Sequence, residues 1–224
     1  MKRYTITGKE DGFGAQYQAI MSGIAYCNYM NYTYIHTPFH TIAHNENADE
    51  LNKFIGIPEG NGIIDISCKC SSEVHNSKHP STYYSEEVLQ LIRNYYYSTD
   101  KPIIHVPDIA IHIRRGDVDE TYTKRYSSNE DYNEIIDKLI KLYPNYTITI
   151  FSEGNEEDFK ELKKPNVIFK LNGYIQETFH SLVKAKVLII AKSSFSYSAA
   201  LLNKNIIYYC FPFIHKPLDH WNYF

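Results

Sequence analysis

Apolar positions across residues 109–210 keep switching between two periods. Ile109, Ile111 and Ile113 alternate with Ala110 and His112. That predicts a strand whose isoleucines share one face while Ala110, His112 and Arg114 share the other. Ile135, Ile136, Leu139, Ile140 and Leu142 then recur at helical spacing over 129–143, and Pro144 ends the helix. The exchange continues with strands at 146–151, 167–170, 187–191 and 205–210. Helices fill the gaps at 156–163, where Phe159 and Leu162 point inward, at 176–185 and at 194–203. Strands separated by helices are joined by crossovers and so run parallel, which makes this half a Rossmann-like layer with helices on both faces.

The first half opens in the same way. A strand at 4–7 leads through Gly12-Phe13-Gly14 into a helix reaching about residue 31, and a strand follows at 33–36. Beyond Pro38 the pattern weakens to helices at 48–55 and 85–97 and a loop at 71–81. The expected fold is α/β, two Rossmann-like halves with parallel sheets, divided near Pro107 into 1–107 and 108–224.

Composition narrows the function classes. With 224 residues, 43% hydrophobic and 22% charged, the chain is an ordinary globular one. A formal net charge of −3 supplies no global field for nucleic acid, so none is expected as a partner. No apolar run reaches the roughly 18 residues of a membrane span. Met1 to Thr7 is too short and polar for a signal peptide, so the cytoplasm is the expected compartment. Cys27, Cys68, Cys70 and Cys210 form no disulfide framework, and Cys68-Lys69-Cys70 reads as two loop thiols, with a metal contact the sharper alternative. The sequons at Asn31 and Asn145 carry meaning only on a secretory route.

Basic charge must therefore act locally. Only five of the 23 basic residues are Arg, yet Arg114 and Arg115 are adjacent where a strand ends, and Gly116 permits a tight turn after them. Ligands of open α/β sheets bind at that carboxyl edge, and a guanidinium matches phosphate oxygens two at a time. Asp117 can orient one guanidinium. The plainer alternative is a surface ion pair between Arg115 and Asp117 or Asp119. Ser193-Ser194-Phe195-Ser196 follows the 187–191 strand and opens a helix, which makes it an anion site or a simple cap. Phe151-Ser152-Glu153-Gly154 ends another strand at the same edge, suited to a base or ribose or to plain turn chemistry. In Gly12-Phe13-Gly14-Ala15-Gln16 the glycines allow a backbone to approach a ligand closely.

These segments carry a resemblance. His112-Ile113-Arg114-Arg115-Gly116-Asp117 resembles the HxRRxD signature of α1,2-fucosyltransferases, echoed in α1,6-fucosyltransferases and protein O-fucosyltransferases. Phe151-Ser152-Glu153 is similar to their FSD or FSE motif, Ser193 to Ser196 with Ala199 to Leu202 to their SSFSWWGAWL segment, and Gly12 to Gln16 to their GxGNQ turn. Order and rough spacing agree over about residues 5–31 and 109–212. The resemblance implies a GT-B-like fold, an acceptor-side N-terminal domain and a donor-binding C-terminal domain. It implies GDP-fucose as donor, an oligosaccharide or glycoprotein as acceptor, and inverting transfer with neither metal nor other cofactor. By carry-over Arg115 holds the donor β-phosphate, Arg114 and His112 support it, and Ser194 lies near the phosphates. Asp117, Ser152, Glu153, Ser193, Phe195, Gly12 and Gly14 complete the expected donor side.

The chain departs from the pattern at Ala15, where the family has Asn, and at Tyr197-Ser198, where it has an aromatic pair. Its acceptor half is also short. These departures leave room for another nucleotide sugar, such as the UDP-xylose chemistry of relatives in large DNA viruses, or for an inactive sugar-nucleotide or glycan-binding protein. For the base that takes the acceptor proton the candidates are Asp11, His40 and Glu153. Asp11 ranks first because it adjoins the N-terminal turn. Asp117-Val118-Asp119 matches a metal-binding DxD, but the two Arg already supply the charge a metal would. His36, His40 and His44 would align on a helix, and Pro38 between them argues against one.

Overall fold

The computed structural model describes all 224 residues except the side chain of Asn45. The chain forms two compact units, Met1–Lys101 with Ile214–Asp219, and Pro102–Phe213 with His220–Phe224. The division therefore falls ahead of Pro107. Residues 107 and 108 are tied into the second unit: Lys186 N–H donates to the Pro107 carbonyl at 3.2 Å, and the Asp108 carboxylate accepts from Lys186 Nζ at 2.7 Å and Thr147 Oγ1 at 3.1 Å. Residues 214–219 rejoin the first unit, where the His215 ring packs edge-on against His75 at 4.4 Å and Asp219 N–H donates to Ser81 Oγ. Local periodicity carries no signal for such a return.

In the first unit a three-stranded parallel sheet has the order β2-β1-β3, with β1 at Arg3–Ile6, β2 at Thr33–Tyr34 and β3 at Ile66–Cys68. Helix α1, Phe13–Met30, is buried along most of its length. Gly23 lets α1 lie close on β1, since a Cβ there would come within 2.6 Å of Ile6 Cγ1. Helices α2 (Ala48–Ile55), α3 (Ser72–His75) and α4 (Glu86–Tyr96) follow. Asn47 and Ser85 cap α2 and α4 by accepting from first-turn amides. Three expectations change. The strand at 33–36 stops at Tyr34, the 71–81 loop contains α3, and β3 was not foreseen. Ile64, Ile66 and Cys68 do alternate with Asp65 and Ser67, but the strand is only three residues long and partly covered, too short to stand out within the weak pattern beyond Pro38.

The second unit is a five-stranded parallel sheet of order β6-β5-β4-β7-β8. The strands are β4 (Ile109–His112), β5 (Ile148–Ser152), β6 (Val167–Leu171), β7 (Val187–Ile190) and β8 (Ile206–Tyr209). Helix α5 (Asn129–Leu142) joins β4 to β5, α6 (Ile175–Lys184) joins β6 to β7, and α7 (Ser194–Leu202) joins β7 to β8. The 156–163 helix is instead a 3-10 run, Glu156–Leu162, kinked at Phe159. Growth of the sheet reverses after β6. With right-handed crossovers, α5 and the 3-10 run cover one face and α6 and α7 the other.

The alternation within β4 decides what each face receives. Ile109, Ile111 and Ile113 are fully buried with Ile136, Leu139, Phe159 and Leu162 beneath α5 and the 3-10 run. Burial of this size is worth about 2 kcal/mol per isoleucine. His112 turns to the opposite face, where its ring meets Phe195 of α7 at 5.4 Å. Past Ile113, Arg115 turns to the α5 side, where it meets Ser127 and Asn129, while Arg114 folds onto Asp117, and this sets the roles of the two arginines.

Candidate functional site

β4 and β7 are the neighbouring strands from which the sheet grows in opposite directions, and the carboxyl edge beside such a switch point is where open α/β folds bind ligands. The segment after β4 and the start of α7 both leave the sheet at this edge. Gly116 adopts φ +82°, the left-handed conformation that glycine reaches without strain. Arg114 folds back across this turn onto Asp117, Nε to Oδ1 at 3.1 Å and Nη2 to Oδ2 at 2.6 Å. The ion pair of the turn is therefore Arg114's, and not one between Arg115 and Asp117 or Asp119.

Arg115 emerges on the α5 side and is half-buried there. Nη1 donates to the Arg114 carbonyl at 2.9 Å, and Nη2 donates to the Ser127 carbonyl at 3.0 Å and to Asn129 Oδ1 at 2.9 Å. Its guanidinium lies 4.3 Å from the centre of the Tyr126 ring. Asn129 is fixed in turn through Nδ2, which donates to the Asp158 carbonyl at 2.7 Å. All of these partners are neutral.

Lys192, between β7 and α7, behaves in the same way. Its Nζ donates to the carbonyls of Tyr126 at 2.8 Å and Thr123 at 3.3 Å. Neither Arg115 nor Lys192 has a carboxylate partner among the described residues, so both are cations without an ion-pair partner at the edge. Sequence reading missed Lys192, because a lone lysine in a lysine-rich chain carries no distinguishing signal. Its position immediately before the Ser193 cap was the available clue.

Ser193 caps α7, its Oγ accepting from Phe195 N–H at 3.3 Å. Ser194 and Phe195 form the half-exposed first turn of α7, and the backbone N–H groups of such a turn favour an anion. Phe195 also packs edge-on against Phe179 of α6 at 5.2 Å. His112 is neutral. Burial, with Arg114 adding to it, pushes its imidazole down to about 3, and its Nδ1 is buried without a hydrogen-bond partner.

After β5, Ser152 Oγ donates to the Ile113 carbonyl at 2.8 Å, so this hydroxyl ties two strand ends together. Glu153 is exposed and lies directly over Gly116, where a Cβ would fall 1.7 Å from its Oε2. His112, Arg114, Arg115, Asp117, Ser152, Glu153, Ser193, Ser194 and Phe195 thus all belong to the carboxyl edge of this one sheet. The two aspartates of the DxD do not converge. Asp117 holds Arg114, while Asp119 accepts from Thr121 N–H at 2.9 Å and its Oγ1 at 2.5 Å. Those bonds hold its carboxyl below the usual carboxylate range.

Asp11, Gly12 and Gly14 belong to the first unit. Gly12 precedes α1 with φ −61° and Gly14 lies within the helix, so neither uses the conformational freedom of glycine. Asp11 pairs with Lys9 at 2.5 Å. A pocket of about 150 Å³ opens beside them, lined by Thr7, Lys9, Gln16, Thr37, His40 and Thr41 among others. Gln16 holds its rim, Nε2 donating to the carbonyls of Asp11 at 2.7 Å and Thr41 at 2.8 Å. His36, His40 and His44 share no helix. His36 is buried with both ring nitrogens unpartnered, and the other two are exposed. Among the described residues no three His, Cys, Asp or Glu side chains converge on a metal position. Nor, among those residues, is any helix long and apolar enough to cross a membrane.

No family model matches the chain, and no curated protein matches it. Solved structures of similar arrangement include the Bradyrhizobium NodZ α-1,6-fucosyltransferase soaked with GDP-fucose, at 12% identity, 91% of this chain, 93% of that chain and a TM-score of 0.47. E. coli heptosyltransferase WaaC with ADP aligns at 14% identity over 97% of this chain and 66% of its own, with a TM-score of 0.43. POFUT1 in its apo form aligns at 12% identity over 89% and 94%, with a TM-score of 0.44.

Proposed function

We propose that this protein is a glycosyltransferase that draws its sugar from a nucleoside-diphosphate donor, with GDP-fucose the first donor to test. One observation carries the reading. Arg115 and Lys192, both without a carboxylate partner, stand with the first turn of α7 at the switch point of a parallel sheet. A diphosphate leaving group has the charge and size for such an edge, and fixed donors there stabilise the negative charge that grows as the sugar departs. The HxRRxD-like segment supplies Arg115 and the SSFS-like segment supplies Ser193 to Phe195, so resemblance and electrostatics point to the same residues.

In this reading the second unit binds the donor and the first serves the acceptor, an oligosaccharide or a glycoprotein. Asp11 is the base for the acceptor hydroxyl. Its carboxylate is fixed by Lys9, and Asp11→Asn should abolish transfer while leaving donor affinity intact. GDP, UDP and dTDP compared side by side by thermal shift test the donor assignment. A ligand at a hundred times its Kd adds about 2.7 kcal/mol of stability, so the correct diphosphate raises Tm by several degrees. Slow hydrolysis of GDP-fucose in the absence of acceptor would separate an enzyme from a protein that only binds. No shift with any of the three diphosphates would remove the proposal.

A further inference from the structure

We infer that a bound diphosphate takes the place of the Ser127 carbonyl on Arg115, that Asn129 is the positioning residue holding the guanidinium during this exchange, and that ligand binding thereby releases the loop 119–127. This rests on the donor-site reading above and adds to it what the free protein must give up for its ligand.

The hydrogens of Arg115 carry the case. A guanidinium grips two phosphate oxygens through one of two forks, Nε with Nη2 along its side or Nη1 with Nη2 at its end. Both forks use a hydrogen on Nη2. That nitrogen has two, and two acceptors take them: the Ser127 carbonyl at 3.0 Å and Asn129 Oδ1 at 2.9 Å. The Tyr126 ring lies against the guanidinium at 4.3 Å, so a phosphate must be met through the forks rather than on that face. A two-point grip therefore breaks one of the two Nη2 bonds.

Local structure says which one yields. Asn129 is held from elsewhere, its Nδ2 donating to the Asp158 carbonyl at 2.7 Å. It also opens α5 directly after the Ser128 cap. There Ser128 Oγ accepts from Asp131 N–H at 3.1 Å and Asp131 Oδ2 accepts from Ser128 N–H at 3.0 Å, a reciprocal arrangement that fixes the first turn. The Ser127 carbonyl instead ends a loop whose residues 119–125 are all exposed. The loop is knit by its own turns, with Arg125 N–H and Tyr126 N–H both donating to the Tyr122 carbonyl at 2.8 Å. Two cations tie it to the sheet edge, Arg115 through Ser127 and Lys192 through Thr123 and Tyr126.

Charge drives the exchange. The carbonyl is a neutral acceptor and a phosphate oxygen a charged one, and charge-assisted bonds are roughly twice as strong. Lys192 has a third ammonium hydrogen beyond the two bonds it makes, so it reaches the same ligand without first letting go. In the free protein the Ser127 carbonyl thus holds the place of a phosphate oxygen.

Hydrogen–deuterium exchange of the full chain tests this, alone and saturated with GDP, or with UDP or dTDP where calorimetry shows that one to bind. Amides of 119–127 should exchange about tenfold faster with the diphosphate bound, the scale of one lost hydrogen bond to a charged group. Amides of β4 and β7 should slow, as in any ligand-stabilised fold. In Asn129→Ala one Nη2 hydrogen is already free, so the Ser127 bond survives binding and the acceleration should vanish. A merely structural Asn129 would loosen the loop equally with and without ligand. Wild-type loop amides that keep their rate or slow with diphosphate bound overturn the exchange and leave the donor site standing. So does an acceleration that persists in Asn129→Ala. Should that variant fail to fold, the wild-type measurement decides alone. Absence of binding by all three diphosphates overturns the donor-site reading and the exchange together.

Discussion

Arg114 and Asp117 face each other across the Gly116 turn as a two-point ion pair, with contacts of 3.1 and 2.6 Å. The pair neutralises Arg114. Arg115 has only neutral partners, so of the two adjacent arginines it is the one with net charge to offer a ligand.

Arg115 should therefore be the most sensitive single position for donor turnover. Arg115→Ala should lower kcat/KM by about 30- to 1000-fold, or roughly 2–4 kcal/mol. It should also cost stability, about 1–3 kcal/mol, because Ser127 O and Asn129 Oδ1 lose a charged donor. Arg115→Lys keeps the charge but not the planar fork, and should recover only part of each loss. Urea denaturation and donor turnover measure the two effects separately. A folded Arg115→Ala with wild-type turnover would leave Arg115 as nothing more than the clasp of its loop.

Chelation should have little effect on donor binding. Asp117 is held by Arg114 and Asp119 by Thr121, so a divalent ion at the DxD would have to break both arrangements. EDTA should change GDP affinity by less than about twofold. A loss above about tenfold that Mn²⁺ restores, equivalent to about 1.4 kcal/mol, would revive the metal reading.

Acid should destabilise the fold through buried histidines, and burial also lowers His75, with Lys9 adding to it. Burial pushes His36 down to about 4 and His112 to about 3, against the ordinary 6.5. Between 6.5 and those values the unfolded chain takes up protons that the folded chain refuses. Stability is therefore full above about pH 6.5, falls as the pH drops, and levels off for each group below its folded value. By pH 5 the linkage amounts to about 2 kcal/mol for each of His36 and His112. Denaturation at pH 7 and pH 5 measures it, and His36→Leu should remove the His36 share, about 2 kcal/mol, of that loss. An identical pH dependence in His36→Leu would mean that His36 titrates normally in the folded protein.

Much of the second unit was legible because its strands obey simple patterns. The β4 isoleucines alternate, α5 keeps a helical stripe and Pro144 ends it, and the parallel sheet follows from the alternation of elements. The site was legible in outline for a related reason: Arg114, Arg115 and Gly116 form an unusual string where a strand must end. Which arginine pairs with Asp117 was not legible. That depends on the side of the sheet each residue leaves and on Asn129, fourteen positions along, waiting at the start of α5. Other features were out of reach because they join distant positions. Residues 214–219 return to the first unit, and the Asn172 clamp on Gly154 connects two loops. The 3-10 run in place of a helix escaped because Phe159 and Leu162, three residues apart and both buried, would share a face at either helical period.

Lys192 provides the sharpest separate test of the charge argument, since no sequence motif pointed to it. Its ammonium holds the carbonyls of Thr123 and Tyr126, and Tyr126 in turn lies beneath Arg115. Lys192→Met keeps much of the aliphatic stem and removes the charge. Two consequences should follow. The segment 119–127 should exchange its amide hydrogens faster, because two carbonyl contacts that pin it are gone. Affinity for a nucleoside diphosphate should fall by about tenfold or more, the loss expected when a charged contact to phosphate disappears. Affinity for the uncharged nucleoside should stay the same, and this arm distinguishes an electrostatic role from a structural one. If Lys192 only braces the loop, Lys192→Met should weaken nucleoside and nucleoside diphosphate equally. If it faces the phosphates, the loss should grow from nucleoside to monophosphate to diphosphate and shrink as salt rises. An equal loss for all three ligands, independent of salt, would leave Arg115 as the one uncompensated cation of the pair and remove half of the electrostatic case for a diphosphate.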